Sequence, residues 1–520
     1  MTEPSGGFAP VLALYDFRSK QEYIYRTNRL QEISGASKLI EDIYDRFLDV
    51  LNQGNEQNPP YIGLRDTSGN DTPFGFEDFT KDQSIFGQVL YSGGGSLMML
   101  YRSEDIYFAA NRRISRMVLE KTQSLSLIAA HIPFDPRQGF RKQRTALYEA
   151  LARCKSEILP CLPCNVTPFT QTGFTAHMPI AYRQYNGIDR ELSRESFLKL
   201  QKHREIKDKS TSQLDKAVRK KGEDSLLAIV YIDGNNMGEK LNACLDGCSD
   251  NIDDCVAALR GFSADTAKAF VEEPYAAISQ WTDTHAAKWL PRAENRWFFR
   301  RVIGGGDEIT FICTAGLALK LVQLYFGELE KKHGGSQTAC AGIAIFHSHA
   351  PFAAVYDIAE ECCENAKEKA RAVRRETGRD GNYFDFYFCR SGLTNDMETL
   401  RENEEKGATG LPYAVDVFFE RINSVVKPLF DAIGRANIKA LTNAVLSDAQ
   451  EINAGSVNGG AAHAACLYES NRLNAYCGKR LFGEEHNTDE MRQLLFDAGS
   501  VCDVWFTKPQ NYAVTEEETK

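Results

Sequence analysis

From residue 226 the chain alternates between apolar runs of strand length and stretches with apolar residues at helical spacing. "LLAIVYID" is an almost unbroken apolar run ending on Asp233, and a helix-like stretch is predicted from about 262 to 283. "RWFFRRVI" and "EITFIC" are β-rich runs flanking a short glycine loop, which predicts a hairpin. "LALKLVQLYFGELEKK" carries apolar residues at helical spacing, and "ACAGIAIF" has the character of a buried strand. "PFAAVYDIAEECCENAKEKARAVRR" is a long helix opening at a proline, and "YFDFYF" closes the unit.

Through "ACAGIAIF" the order is βαββαβ, the ferredoxin-like split unit, an antiparallel sheet with helices on one face. The first 160 residues repeat it. "VLALYDF" ends near Asp16 as the later strand ends on Asp233, "IFGQVLY" and "SLMMLYR" flank a glycine run, and "SLIAAHIPF" precedes a helix from Phe140 through Lys155. Gly94 and Gly305 are 211 residues apart, Phe140 and Phe352 are 212 apart, Lys155 and Lys367 are 212 apart, and Asp16 and Asp233 are 217 apart. An offset that constant at four landmarks reads as a tandem duplication, and its length means duplicated domains rather than a solenoid. The expected fold class is therefore α+β: two ferredoxin-like domains in tandem plus a C-terminal α-helical domain. Expected boundaries are 8–182, a charged linker at 183–224, 225–392, a helical domain at 410–510, and a disordered tail at 511–520.

Length and charge narrow the picture. At 520 residues the chain exceeds one ordinary core. No stretch approaches the run of ~20 apolar residues that crosses a bilayer, and "MTEPSGGFAP" lacks the basic and apolar regions of a signal peptide, so no membrane partner and a cytoplasmic location are expected. The 14 cysteines show no even framework and read as free thiols. A net charge of −10 argues against a general nucleic-acid coat, although local basic stretches remain available to hold a strand. One is 199–221, with nine Lys or Arg against three acidic residues, read first as a solvated linker or surface helix and second as a phosphate-contacting arm.

The chemistry is concentrated in the second copy. Asp233 ends a buried strand, and Asp307 and Glu308 stand in the turn of the neighbouring hairpin, so the three carboxylates are expected to converge at one sheet edge. Such carboxylates repel one another unless a cation neutralises them, and Mg²⁺ or Mn²⁺ accepts carboxylate and phosphate oxygens together. Gly304, Gly305 and Gly306 would let a nucleotide press onto the turn. Lys367, on the long helix in a basic stretch, is expected to contact triphosphate oxygens. Two metals at such a site would support nucleotidyl transfer. The first copy keeps Asp16 and the close-approach glycines Gly94 and Gly95, but Ser96 and Leu97 follow where Asp307 and Glu308 follow in the second. It is expected to be chemically silent while supplying half of a nucleotide pocket.

These residues resemble the palm domains of GGDEF-type nucleotide cyclases and of the large, polymerase-like subunit of type III CRISPR effector complexes. The second family fits better: one armed palm of two matches the duplication, "YIDGNNMG" at 231–238, with Asn236, is similar to its strand motif, and "DFRSKQEYIYRTNRLQEISGASKLI" at 16–40 resembles the opening of its first palm. Diguanylate cyclases fit less well, because Phe299 stands where their inhibitory Arg-x-x-Asp would end, and Met237 and Gly238 replace their Phe and Lys.

The resemblance implies that Asp233, Asp307 and Glu308 bind Mg²⁺ or Mn²⁺ and polymerise ATP, or another NTP, into cyclic oligoadenylate. It also implies a crRNA-containing effector complex with other CRISPR subunits, target RNA as activator, and nucleotide contacts from Gly94, Gly95, Asn236, Gly304, Gly305, Gly306 and Lys367. Glu308 replaces the family's usual second aspartate and reaches about one methylene further. No His-Asp dipeptide occurs, so the family's HD nuclease activity is not expected. The family often carries a zinc site between its palms, and Cys154, Cys161, Cys164 and His177 are its candidates here. Two other readings are a catalytically silent scaffold subunit and a stand-alone signalling cyclase.

Overall fold

The computed structural model describes residues 8–27, 29–55, 57–66, 68–157, 170–173, 178–206, 226–286, 299–348, 350–389, 397–405, 407–453 and 488–506. The chain divides into two compact units, one formed by residues 1–212, 236–271 and 302–307, the other by 213–235, 272–301 and 308–520.

In the first unit, strands β1 (Val11–Arg18), β2 (Tyr61–Ile62), β3 (Gly87–Gly93), β4 (Ser96–Tyr101) and β5 (Ser126–Pro133) form one sheet in the order β2-β3-β4-β1-β5. Taken without β2, that order is the ferredoxin-like one. β1 is buried along almost its whole length, as happens when both faces of a strand are covered. Leu12 and Leu14 pack with Leu90, Met98 and Leu100 beneath Phe140, Leu147 and Leu151 of the Phe140–Glu157 helix. The same cluster includes Leu245 from the Met237–Asp246 helix and Ile252, Val256 and Leu259 from the Ile252–Ala267 helix. On the opposite face, the ring of Tyr15 meets those of Phe47 and Tyr107, from the Ile43–Asn52 and Glu104–Thr122 helices. The expectation of helices on one face is thus corrected: the continuous apolar strands require two covered faces. The Ile252–Ala267 helix is pinned where β3 slips register between Val89 and Tyr91, because Arg260 donates to the carbonyls of Val89 (2.9 Å), Leu90 (2.8 Å) and Thr72 (2.6 Å).

The sequence from 183 to 203, read as the start of a charged linker, is folded together with the residues just before it. It forms a hairpin of β6 (Ile180–Tyr185) and β7 (Ile188–Ser193), followed by the Arg194–His203 helix, which Ser193 caps. Lys199 is 0% exposed and donates to Glu195 (2.5 Å) and to the carbonyl of Tyr23 (2.6 Å). A lysine that reads as surface in sequence is therefore a satisfied core residue, as buried charges must be. The rest of the basic stretch, 207–221, lies outside the described residues.

In the second unit, β8 (Leu226–Gly234), β9 (Phe299–Gly305), β10 (Glu308–Thr314), β11 (Ala339–His347), β12 (Tyr383–Phe388) and β13 (Tyr413–Ala414) lie in the order β13-β12-β11-β8-β10-β9. β8 is antiparallel to β10 and β11, whereas β11 and β12 are parallel. The Phe352–Thr377 helix crosses β11 at Gly342, where any Cβ would collide with the Ala359 carbonyl and the Cys363 amide. Gly342 is the close-approach residue that lets this helix lie on the sheet.

Helices Met397–Glu404, Val415–Arg421, Lys427–Asn453 and Asp489–Ser500 follow, with a break in the third at Gly434. They are joined to the sheet by ring packing of Phe384 on Phe418 (4.8 Å) and by a buried ion pair of Asp385 with Arg401. Asp497, also buried, accepts from Tyr413 Oη (2.7 Å) and the Gly410 amide (2.9 Å). The expected tail at 511–520 lies outside the described residues. Among those that are described, no helix is long and apolar enough to cross a membrane.

Candidate active site

Glu308 stands directly opposite Asp233 across β10 and β8. Residues so paired place their side chains on the same face, with Cβ atoms about 4.5–5.5 Å apart, where like charges destabilise each other. Lys367 supplies the compensation: its ammonium is ion-paired with Asp233 Oδ2, both side chains being mostly buried. The lysine reaches down from the Phe352–Thr377 helix, one turn beyond the point where Cys363 backs onto the strand.

Around this pair the electrostatics are consistently acidic. Tyr231, two residues before Asp233 and therefore on the same face, has its phenol held far above the ordinary tyrosine range by burial, and then by Glu308 and Asp233. Glu360 is raised by burial first, then by Asp357 and Asp233. Burial, with smaller contributions from charged neighbours, keeps the Cys363 thiol protonated, and that of Cys340, opposite Asp233 on β11, is pushed up to about 12. Glu360 and Tyr231 are members of the site that sequence reading missed. Tyr231 opens the quoted "YIDGNNMG" stretch but was given no role there, and Glu360 belongs to no motif; it comes near Asp233 only once the helix is seated on Gly342.

The expected three-carboxylate cluster is present as an in-register pair. Asp307 immediately precedes Glu308 and belongs with the turn 302–307, and no group of three or more His, Cys, Asp or Glu among the described residues is gathered to hold a metal. Asp233 and Glu308 fit a divalent ion in donor type, because both offer carboxylate oxygens from the same face of the sheet, with the Lys367 ammonium paired to Asp233. Gly306 has φ +64°, a left-handed conformation that glycine adopts readily. Gly304 and Gly305 end β9, and nothing lies within 4 Å of a Cβ added at Gly305. Asn236 adopts φ +58° at the start of the Met237–Asp246 helix, while its neighbour Asn235 is buried and donates to Thr338 Oγ1 (3.2 Å) and the Gly381 carbonyl (3.0 Å). Of the zinc candidates, Cys154 is a partly buried free thiol, and Cys161, Cys164 and His177 lie outside the described residues.

The first copy has the same frame with different contents. Tyr15 pairs with Leu97 as Ile232 pairs with Ile309, a correspondence of 212 residues on the hairpin strand. The glycine runs, aligned at 211 in sequence, are therefore offset by one in register, so that Ser96 matches Glu308 and Gly95 matches Asp307. Asp16 is again bridged by a lysine of a long helix, Lys155, at the position matching Lys367. Gly94 and Gly95 have φ +57° and +74°, and a Cβ added to Gly306 would stand 3.6 Å from the Gly94 backbone, so the two turns approach closely.

Residues 226–375 match the family model described as Cas10/Cmr2, second palm domain. No curated protein matches the chain. Among solved structures, the Csm1–Csm4 cassette in complex with cA4 is 14% identical with a TM-score of 0.54, covering 96% of this chain and 70% of that one. The cassette in complex with AMPPNP is 15% identical (TM-score 0.53, 96% and 70%), and the apo cassette 14% identical (TM-score 0.54, 97% and 71%). The in-register acidic pair and the glycine turn thus lie within the stretch, residues 226–375, that matches the Cas10/Cmr2 second palm domain.

Proposed function

We propose that this protein is a metal-dependent nucleotidyltransferase that makes cyclic oligoadenylate-type second messengers from ATP, working within an RNA-guided antiviral complex of the type III CRISPR kind. The observation that carries the reading is the facing pair Asp233 and Glu308 beside a glycine turn in the matched palm domain. Similar folds are found in Csm1–Csm4 cassettes bound to ATP, pppApA, pppApApA, cA3 and cA4. In this reading Asp233, Asp307 and Glu308 hold Mg²⁺ or Mn²⁺, which when bound would activate a ribose hydroxyl and stabilise departing pyrophosphate. Gly304, Gly305 and Gly306 admit the nucleotide to the backbone, and Gly94 and Gly95 do so from the unarmed copy. Lys367, paired with Asp233, would contact phosphate oxygens, and Asn236 would contact the nucleotide. Glu308 reaches further than an aspartate would, which bears on the size of the product. Other CRISPR subunits, crRNA and an activating target RNA are the partners this reading requires.

The test is incubation of the protein, alone and in its complex, with Mg²⁺ or Mn²⁺ and each labelled NTP, with products identified by mass spectrometry and Asp307→Ala as control. Cyclic or linear oligoadenylates that vanish in the variant are expected. No product from any NTP under either condition overturns the reading and leaves a scaffold subunit. Product made by a monomer without RNA would point to a stand-alone cyclase.

A further inference from the structure

The two copies differ at one more position. Asp16 is followed four residues later by Lys20, and Asp233 four residues later by Met237. The local backbone is otherwise the same: Ser19 and Asn236, each just before its helix, are both left-handed, at φ +55° and +58°. In the first copy the Lys20 ammonium donates to the Gly95 carbonyl (2.9 Å) and pairs with Asp16 Oδ1 (2.8 Å). A Cβ added at Gly95 would collide with that ammonium. Gly95 is the register counterpart of Asp307, so Lys20 stands against the backbone position at which the second copy carries an aspartate. Tyr44 Oη donates to the same carbonyl (2.6 Å), and Lys155 takes the other oxygen of Asp16.

We propose that Lys20 is a positioning residue, a resident cation that does in the first copy what a divalent ion does in the second. It ties the strand-end carboxylate to the glycine turn and presets that turn without metal. An ammonium with two charge-assisted or carbonyl contacts supplies localised positive charge of the kind an ion would, at a site with one carboxylate. Lys20 and Gly95 are a matched pair, because any side chain at 95 would have to push the ammonium off the carbonyl it holds. The first turn is therefore fixed by the covalent chain, and only the second responds to metal. The comparison with the second turn rests on the metal-dependent reading above, but the role of Lys20 does not.

Backbone amide exchange, read by mass spectrometry on the full chain without metal, tests this. Lys20→Met should raise exchange at 92–97 about tenfold or more, the effect of losing one charge-assisted contact. Lys20→Arg should stay close to the parent. Lys155→Met, which removes a charge from Asp16 but no contact to Gly95, should leave the turn nearly unchanged. Adding Mg²⁺ alone should slow exchange at 303–308 and not at 92–97. The proposal is overturned if Lys20→Met leaves the turn unchanged, if Lys155→Met opens it as much, or if Mg²⁺ slows the first turn as it does the second. If Mg²⁺ slows neither turn while Lys20→Met opens the first, the metal reading of the second copy fails and the assignment of Lys20 holds.

Discussion

Asp233 and Glu308 face each other across two antiparallel strands, and one of the two already carries a lysine. The pair therefore holds one more negative charge than Lys367 can neutralise. In metal-free protein Glu308→Gln should raise stability, by about 0.2–1 kcal/mol, since like charges in direct cross-strand register cost that much. The same variant should lose most of the thermal shift that Mg²⁺ gives the parent. Thermal melts with and without Mg²⁺ check both signs, and a variant that still gains the parent's full shift would exclude Glu308 as a ligand.

Lys367→Met should act in the opposite direction. Removing the ammonium leaves Asp233 mostly buried beside Glu308, and should cost about 1–3 kcal/mol, the range for a hydrogen bond to a charged group or its unmade partner. Added Mg²⁺ should recover part of that loss, because an ion can replace the missing charge. Urea denaturation at two Mg²⁺ concentrations measures it, and a loss insensitive to Mg²⁺ would mean that Lys367 acts through packing.

Gly342→Ala should be among the most damaging single-methyl changes in the second unit. Its Cβ has no room against the Ala359 carbonyl and the Cys363 amide, which are backbone atoms of the helix that carries Glu360 and Lys367. Forcing that helix off β11 is expected to cost about 3 kcal/mol or more. Nucleotide-dependent activity should fall with it even though no candidate ligand is altered.

Stability of the second unit should fall as pH rises from about 5 to 8. Glu405 is pushed up to about 8 by burial, against the pull of Arg401, and burial raises Asp497 to about 6. Both folded-state values lie above the ordinary carboxylate range, so the folded state holds more protons than the unfolded state through this window. The stabilisation is complete below the unfolded values and is lost as pH passes through the folded ones. Glu405→Gln should flatten the upper part of the profile, which melts at half-unit pH steps would show.

The duplication, the paired hairpins and the acidic turn were legible in the sequence because each rests on local pattern: apolar runs, a glycine turn, and matching landmarks about 212 residues apart. So was the meeting of Asp233 and Glu308, since a residue at the end of a buried strand and one at the start of its hairpin partner must meet in an antiparallel sheet. Lys199 was not legible, because a basic run looks solvated until Glu195 and the Tyr23 carbonyl come from elsewhere to satisfy it. Nor was the one-residue shift that matches Gly95, and not Ser96, to Asp307. The glycine runs align equally well by eye at 211, and only the hydrogen-bonded register of β1 with β4 and of β8 with β10 decides between offsets. The sequence by itself determined two copies of one unit and an acidic turn in only one of them. Tertiary structure alone decided that Lys367 and Glu360 reach the acidic pair and that Lys20 fills the unarmed turn, because long side chains meet their partners only once a helix has been laid on a sheet.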